Sequence, residues 1–246
     1  MPNATPSTPR GRADDLAPLL DEAEITRLFE RLKETYPARE LRPESVKAVR
    51  DPFRSCVSCL LSAQSLDRNT AAATSALFAI ASTPQAILAL GDEELIGAIR
   101  PAGLYNMKAK NLRRLCAALL EEHDGVVPRT REGLMSLPGI GRKCADIVLH
   151  FTFHEPICAV DTHVHRVCNR VGLARGKTEE QTAKSLEPRI PDWAAWDAHV
   201  WLITWAKRVC TSRAPKCEAC LAKGFCRAYA ANGHAPLRPA AKTAKA

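Results

Sequence analysis

The chain has 246 residues, enough for one large domain or two smaller ones with real cores. Hydrophobic residues make up 46% and charged residues 25%, and a net charge of +8 with a pI near 9.1 suits a soluble protein with a polyanionic partner. No apolar run approaches the roughly 18–20 residues of a membrane span, and aromatics at only 5% argue against a single-strand reader built on stacking platforms.

Helical spacing runs through the whole chain. Ile25, Leu28, Phe29 and Leu32 repeat on one face. Asp51-Pro52 reads as an N-cap with proline at the first helical position, followed by Phe53, Val57, Leu60 and Leu61. Thr83-Pro84 repeats that signal, with Gly91 expected to end the helix. Leu112, Leu115, Cys116 and Leu119 mark a further helix that closes near Asp124-Gly125. Thr178-x-x-Gln181 is a capping box. Asp192 is expected to open a single helix carrying Trp193, Trp196, Trp201 and Trp205 into Cys210. The pattern predicts an all-α protein of about ten short helices, with no internal repeat. Residues 1–15 and 229–246 read as mobile tails, the second of them basic.

Basic residues cluster in three acid-free runs. Arg100, Lys108, Lys110, Arg113 and Arg114 form the first, and Arg166, Arg170, Arg175 and Lys177 the second. Arg227, Arg238, Lys242 and Lys245 follow the last cysteine. Such runs usually end as solvated helix faces; three together favour nucleic acid as the partner.

Ten cysteines are present, four of them in a C-x6-C-x2-C-x5-C array: Cys210, Cys217, Cys220 and Cys226. Four soft thiolates in one short segment match an iron–sulfur cluster or a structural zinc. The cations Lys207, Arg208, Arg213 and Lys216 around them are expected to favour the thiolate form. Disulfides are a weaker reading, because no secretory signal precedes the chain and a reducing compartment is expected. Cys56 and Cys59 form a C-x-x-C inside an apolar run, and they read as core thiols along with Cys116, Cys144, Cys158 and Cys168.

Leu137-Pro138-Gly139-Ile140-Gly141-Arg142-Lys143 joins two short helical patterns. Pro-Gly-Ile-Gly makes a tight reversal, and the second helix starts near Arg142. Its first N–H groups have no partner within the helix, so a phosphate could approach them past Gly139 and Gly141. An ordinary glycine turn between packed helices reads equally well from these residues alone.

This hairpin, then Val160-Asp161-Thr162-His163-Val164, then the four-cysteine loop, resemble the endonuclease III family. That family is the iron–sulfur branch of the helix–hairpin–helix DNA glycosylases. Leu60-Leu61-Ser62-Ala63-Gln64 and Gly103-Leu104-Tyr105-Asn106 match in the same order, so the resemblance runs from about Asp51 to Cys226. It implies two helical domains flanking a DNA-binding cleft. A six-helix barrel would span 45–155, with the helix–hairpin–helix at about 130–153. Residues 1–44 would join a 4Fe–4S domain at 156–228, and 229–246 would be a tail. Lys143 and Asp161 would face each other across the cleft.

The resemblance further implies base-excision repair by a bifunctional DNA glycosylase and abasic-site lyase. It would act on oxidised pyrimidines or abasic sites in duplex DNA, as a soluble monomer in the prokaryotic cytoplasm. A neutral lysine amine attacks C1′, the base leaves, and a Schiff base forms. Lys143 sits at a helix start beside Arg142, where the helix dipole and the neighbouring cation oppose a further positive charge. Asp161 would assist by proton transfer or charge stabilisation, and it also makes a ready N-cap for the stripe Val164, Val167, Cys168 and Val171. The resemblance assigns gap filling to Gln64 and intercalation to Leu104 once the nucleotide is extruded. Gly139, Gly141, Arg142 and His163 would contact DNA. Cys144 and Asp146 depart from the threonine and asparagine common in the family. Two other readings remain. An adenine glycosylase relative is disfavoured by Lys143 and by the chain ending at Ala246. The second is a non-catalytic DNA-binding metalloprotein.

Overall fold

Local capping chemistry sets where the helices begin. In this computed structural model, which describes residues 18–37 and 51–234, twelve α-helices and no strand occur among the described residues. In chain order they are α1 (Glu22–Thr35), α2 (Pro52–Ser62), α3 (Asp67–Ile80), α4 (Pro84–Ala89), α5 (Asp92–Ile99) and α6 (Tyr105–Glu122). Then follow α7 (Arg131–Ser136), α8 (Arg142–Phe151), α9 (Thr162–Val171), α10 (Glu179–Leu186), α11 (Ala198–Arg208) and α12 (Arg227–Ala231). None is long and apolar enough to cross a membrane.

The expected N-caps form. Asp51 accepts from the Phe53 N–H at 2.9 Å, Thr83 from Ala86 at 3.1 Å and Thr178 from Gln181 at 3.2 Å. Gln181 Oε1 reaches back to the N–H of Lys177, one residue before the cap, at 2.8 Å. A reciprocal box also opens α1: Asp21 and Glu24 each accept from the other's N–H, at 2.8 and 3.0 Å.

Three expectations are corrected. Gly91 does not end α4; Leu90 caps it, and Gly91 is the N-cap of α5. The tryptophans do not share one helix. Asp192–Ala194 is a single 3₁₀ turn whose N–H groups reach back three residues, and α11 starts only at Ala198. Residues 229–231 belong to α12, where Tyr229 is buried and donates to Glu218 at 3.0 Å. Residues 235–246, the first 17 residues and the expected boundary at residues 44 and 45 lie outside the described residues.

Two compact units emerge. One comprises the described parts of Met1–Thr35, Thr162–Arg189 and Leu202–Ala246. Long-range bonds close it: the Leu20 N–H donates to Gly172 O at 2.9 Å, Arg189 Nε to Leu173 O at 2.6 Å, and the Arg227 guanidinium pairs with Glu24. Gly172 has φ +89°, and a Cβ there would stand 2.5 Å from Arg227 Cγ, so both backbone and space require glycine.

The other unit comprises Tyr36–Asp161 with Ile190–Trp201. Its core is aliphatic: Leu61, Leu77, Leu95, Ile99, Leu112, Leu115, Leu119 and Leu134 are fully buried. Helices α2 and α8 run together along it. Thr152 Oγ1 donates to Ser55 Oγ at 2.9 Å near one end, and Gly139 lies over Leu60 at the other.

Candidate functional site

The helix–hairpin–helix forms as the glycines dictate. Thr130 caps α7 by accepting from Gly133 at 3.1 Å, and Leu137 closes that helix. Gly139 turns the chain at φ +85°, where a Cβ would meet Leu60 Cδ1 at 3.0 Å. Ile140 is buried under the turn and Gly141 caps α8. A Cβ on Gly141 would meet nothing within 4 Å, so the approach to the start of α8 is open. Lys143 is exposed on that first turn. Arg142 is half-buried and approaches Asp146 at 3.6 Å. Asp146 is buried at 1% exposure and also accepts from Arg131 Nε at 2.7 Å, so its extra negative charge is matched by two guanidiniums.

Asp161 is half-buried directly before α9, in the same unit as Lys143. His163 is half-buried on the first turn of α9, with Nδ1 at 3.2 Å from Arg166 Nη2.

Gln64 and Leu104 share an unusual backbone. Both are exposed non-glycine residues in the left-handed region, at φ 52° and 48°. Such a conformation costs on the order of 1 kcal/mol and is held by its surroundings. Here the holder is Lys108. It is only 2% exposed, and its amine donates to Leu61 O and Ala102 O, both at 2.8 Å. Those carbonyls stand shortly before Gln64 and Leu104. Desolvation lowers the Lys108 pKa.

Lys108 thus leaves the set of nucleic-acid cations, and several others leave with it. Arg113 donates to Leu88 O, Leu90 O and Asp92. Arg166 donates to Cys210 O and Ala206 O, and Arg170 to Thr211 O and Ser212 O. Arg227 is bound to Glu24, while Lys110, Arg114, Lys207 and Arg213 are exposed. The acid-free runs are therefore partly internal staples, because main-chain carbonyls supply the counter-dipoles that the local sequence lacks. Arg238, Lys242 and Lys245 lie outside the described residues.

Cys210, Cys217, Cys220 and Cys226 line one pocket of about 370 Å³, together with Trp205, Val167 and Val171. Among the described residues no three His, Cys, Asp or Glu groups converge where a single ion would sit. Four thiolates around one pocket are the donor set of a cubane cluster and of a structural zinc alike. The wall also offers donors. Arg170 Nη1 stands 3.7 Å from Cys210 Sγ. Trp205 Nε1 is buried without a nitrogen or oxygen partner and faces the Cys220 thiol. The donor set fits a cluster. The expected lowering of these thiols by the basic loop is not what burial allows: desolvation pushes Cys220 up, and Cys226 up to about 11.

The remaining cysteines divide. Cys56, Cys116 and Cys168 are fully buried core thiols. Cys59, Cys144 and Cys158 are only half-buried, which corrects their reading as core. The sequence reading missed Lys108, although its place on the Leu112, Leu115 and Leu119 face was a signal. It also missed the facing of Cys59 and Cys144, which a separation of 85 positions conceals.

A hairpin with an open helix start, a lysine on it and a four-thiol pocket define a DNA-repair type of site. The description "HhH-GPD superfamily base excision DNA repair protein" matches residues 57–192. Endonuclease III of Escherichia coli (strain K12) is 40% identical over 207 residues, covering 84% of this chain and 96% of that protein. The Haemophilus influenzae endonuclease III is 41% identical over 202 residues, with coverages of 82% and 92%. A solved trapped endonuclease III–DNA covalent intermediate has a TM-score of 0.77 at 33% identity, covering 87% of this chain and all of that one. The chain therefore belongs to the HhH-GPD superfamily, in the endonuclease III family of base-excision-repair DNA glycosylase/lyases.

Proposed function

We propose that this enzyme removes oxidised pyrimidines from duplex DNA and cleaves the strand at the resulting abasic site, with Lys143 as nucleophile. The observation that carries this reading is an exposed Lys143 on the first turn of α8, beside a glycine hairpin open to a phosphate. The amine attacks C1′ and the base leaves; loss of a C2′ proton from the Schiff base then drives β-elimination. The trapped covalent complex of the structural relative supports a covalent step here. Asp161 assists this chemistry by proton transfer or charge stabilisation. Gly139, Gly141, Arg142 and His163 contact the DNA backbone, and Gln64 and Leu104 fill the space left by the extruded nucleotide. The protein acts as a monomer, and if its cell is prokaryotic it works in the cytoplasm at the nucleoid.

Cys210, Cys217, Cys220 and Cys226 hold a 4Fe–4S cluster, which supplies a structural clamp for the loop and takes no part in base removal. The supporting observation is that all four thiols line one pocket, with Trp205 Nε1 facing Cys220.

The test is borohydride trapping on two duplexes, one with a single oxidised pyrimidine and one with an abasic site. Wild-type protein should give a covalent adduct with both. Lys143→Gln should give none while still binding DNA. An undiminished adduct from the variant would assign the chemistry to another amine.

A further inference from the structure

Helices α2 and α8 bring two half-buried cysteines face to face. Cys144 Sγ stands 3.7 Å from Cys59 O, and Cys59 Sγ stands 4.0 Å from Cys144 O. The helices are fixed against one another on both sides of this contact, through Ser55 with Thr152 and through Leu60 with Gly139. Cys56, one turn earlier on α2, is fully buried and so is shielded from solvent oxidants.

We propose that Cys59 and Cys144 are a paired oxidation site: hydrogen peroxide converts Cys144 to a sulfenic acid, and Cys59 resolves it as a reversible disulfide. The two thiols differ in the way this chemistry needs. The facing Cys59, with the Lys143 charge and the Gly141 N–H adding to its effect, lowers the Cys144 thiol below its ordinary value. Cys59 is pushed well up by the facing Cys144 and by burial. Cys144 therefore supplies the thiolate. Its sulfur attacks one peroxide oxygen and the O–O bond breaks. The other oxygen leaves as hydroxide and takes up a proton to give water. Cys59 sulfur then attacks the sulfenic sulfur, the S–O bond breaks, and that oxygen leaves as water with the Cys59 proton. In sum, two thiols lose two hydrogens and one peroxide becomes two waters.

The resolving partner has a physical purpose. A thiolate alone beside Lys143 would climb to sulfinic and sulfonic acids, fixing an irreversible negative charge next to that amine. Capture by Cys59 stops the climb at a state that a dithiol reverses. The inference concerns thiol chemistry and stands whether or not Lys143 is the nucleophile.

The test exposes purified holoprotein to hydrogen peroxide, with the metal content measured before and after. Non-reducing peptide mapping should show the segment bearing Cys59 joined to the segment bearing Cys144. Fragmentation should place the bond at those two sulfurs, and dithiothreitol should remove it completely. Cys56→Ala should leave the cross-link in place. Cys59→Ser should abolish it and accumulate sulfinic or sulfonic acid at Cys144 that dithiothreitol does not reverse. Two results would overturn the proposal: free Cys59 and Cys144 in wild-type protein after peroxide, or over-oxidation of Cys144 to the same extent in wild type and Cys59→Ser.

Discussion

The buried amine of Lys108 donates to Leu61 O across 47 residues of sequence, at 2.8 Å. A second bond of equal length goes to Ala102 O. One charged group thus ties the end of α2 to the segment before α6. The two tied loops present Gln64 and Leu104, each in a left-handed conformation. A desolvated lysine is costly unless its amine is hydrogen-bonded. Its retention here is explained by the pair of carbonyls that would otherwise be buried unpaired.

Lys108→Met keeps the length of the side chain and removes both bonds. Stability should fall by about 2–4 kcal/mol, the cost of stripping a charged donor from two buried acceptors. Single-turnover cleavage of a damaged duplex should slow roughly ten- to hundredfold, because Gln64 and Leu104 lose their fixed placement. Trapping at Lys143 should still occur. Denaturant titration and rapid-quench kinetics read the two effects separately; an unchanged cleavage rate in a destabilised variant would reduce Lys108 to a structural role alone.

Asp146 carries the negative charge where the family commonly has asparagine, and it is matched by Arg131 at 2.7 Å and Arg142 at 3.6 Å. Asp146→Ala should destabilise by about 2–3 kcal/mol, since it leaves a half-buried guanidinium without its acceptor. Asp146→Asn keeps an oxygen for Arg131 and should lose clearly less. Equal losses in the two variants, measured by urea unfolding, would show that packing rather than the ion pair matters at this position.

Salt dependence separates contact cations from staples. Each phosphate neutralised contributes about −0.9 to the slope of log affinity against log salt. Lys207→Gln, at an exposed position on the last turn of α11, should flatten the slope by about that amount. Arg113→Gln should leave the slope unchanged, because Arg113 is spent on Leu88 O, Leu90 O and Asp92. Filter-binding titrations across a salt series decide this, and a flattened slope for Arg113→Gln would return that residue to the DNA face.

This contrast shows where the sequence was readable. Caps and apolar stripes act within one or two helical turns, so Asp51, Thr83, Thr178 and the stripe of α1 were legible from neighbours alone. The hairpin was legible because Gly139 meets a backbone need of its own, at φ +85°. The fate of a cation depends on distant carbonyls: Arg166 finds Cys210 O 44 residues on. No local pattern encodes such a partner. The tryptophan segment failed for a related reason. His199 Nδ1 meets Ala159 O at 2.8 Å and Trp196 packs on His150, tertiary contacts that accompany a break in the helix its spacing predicts.

Alkaline unfolding should expose the core thiols. Burial pushes Cys56 and Cys116 up to about 12, and Cys168 up as well, from an ordinary value of 9.0. A thiol that titrates later in the folded state than in the unfolded state contributes fully below its unfolded value. That contribution is lost as pH rises towards the folded value. Stability should therefore decline above about pH 9, by up to about 1.4 kcal/mol per pH unit for each thiol. Lys108, whose pKa is lowered, acts in the opposite direction, but it is one group against three. Cys116→Ala should reduce the decline between about pH 8 and pH 10, measured by urea midpoints under reducing conditions. An identical decline in the variant would assign the alkaline loss to other groups.

The cysteine pocket gives the last prediction. Cys210 and Cys226 lie on two segments that Arg170 already joins: its guanidinium reaches Thr211 O at 2.7 Å and its carbonyl accepts from Cys226 Sγ at 3.4 Å. Cys217 and Cys220 have no such anchorage from Arg170; they sit on a 3₁₀ turn with exposed neighbours Lys216, Glu218 and Ala219. Tyr229 holds this turn through Glu218, and the proposed cluster would add a second anchor through the two sulfurs. Cys217→Ser should lose iron, unfold more easily and bind DNA poorly, while any folded fraction keeps Schiff-base trapping at Lys143. Wild-type protein purified without oxygen should carry about four irons per chain, the content of a cubane held by four cysteines. Elemental analysis showing one zinc and no iron would overturn the cluster.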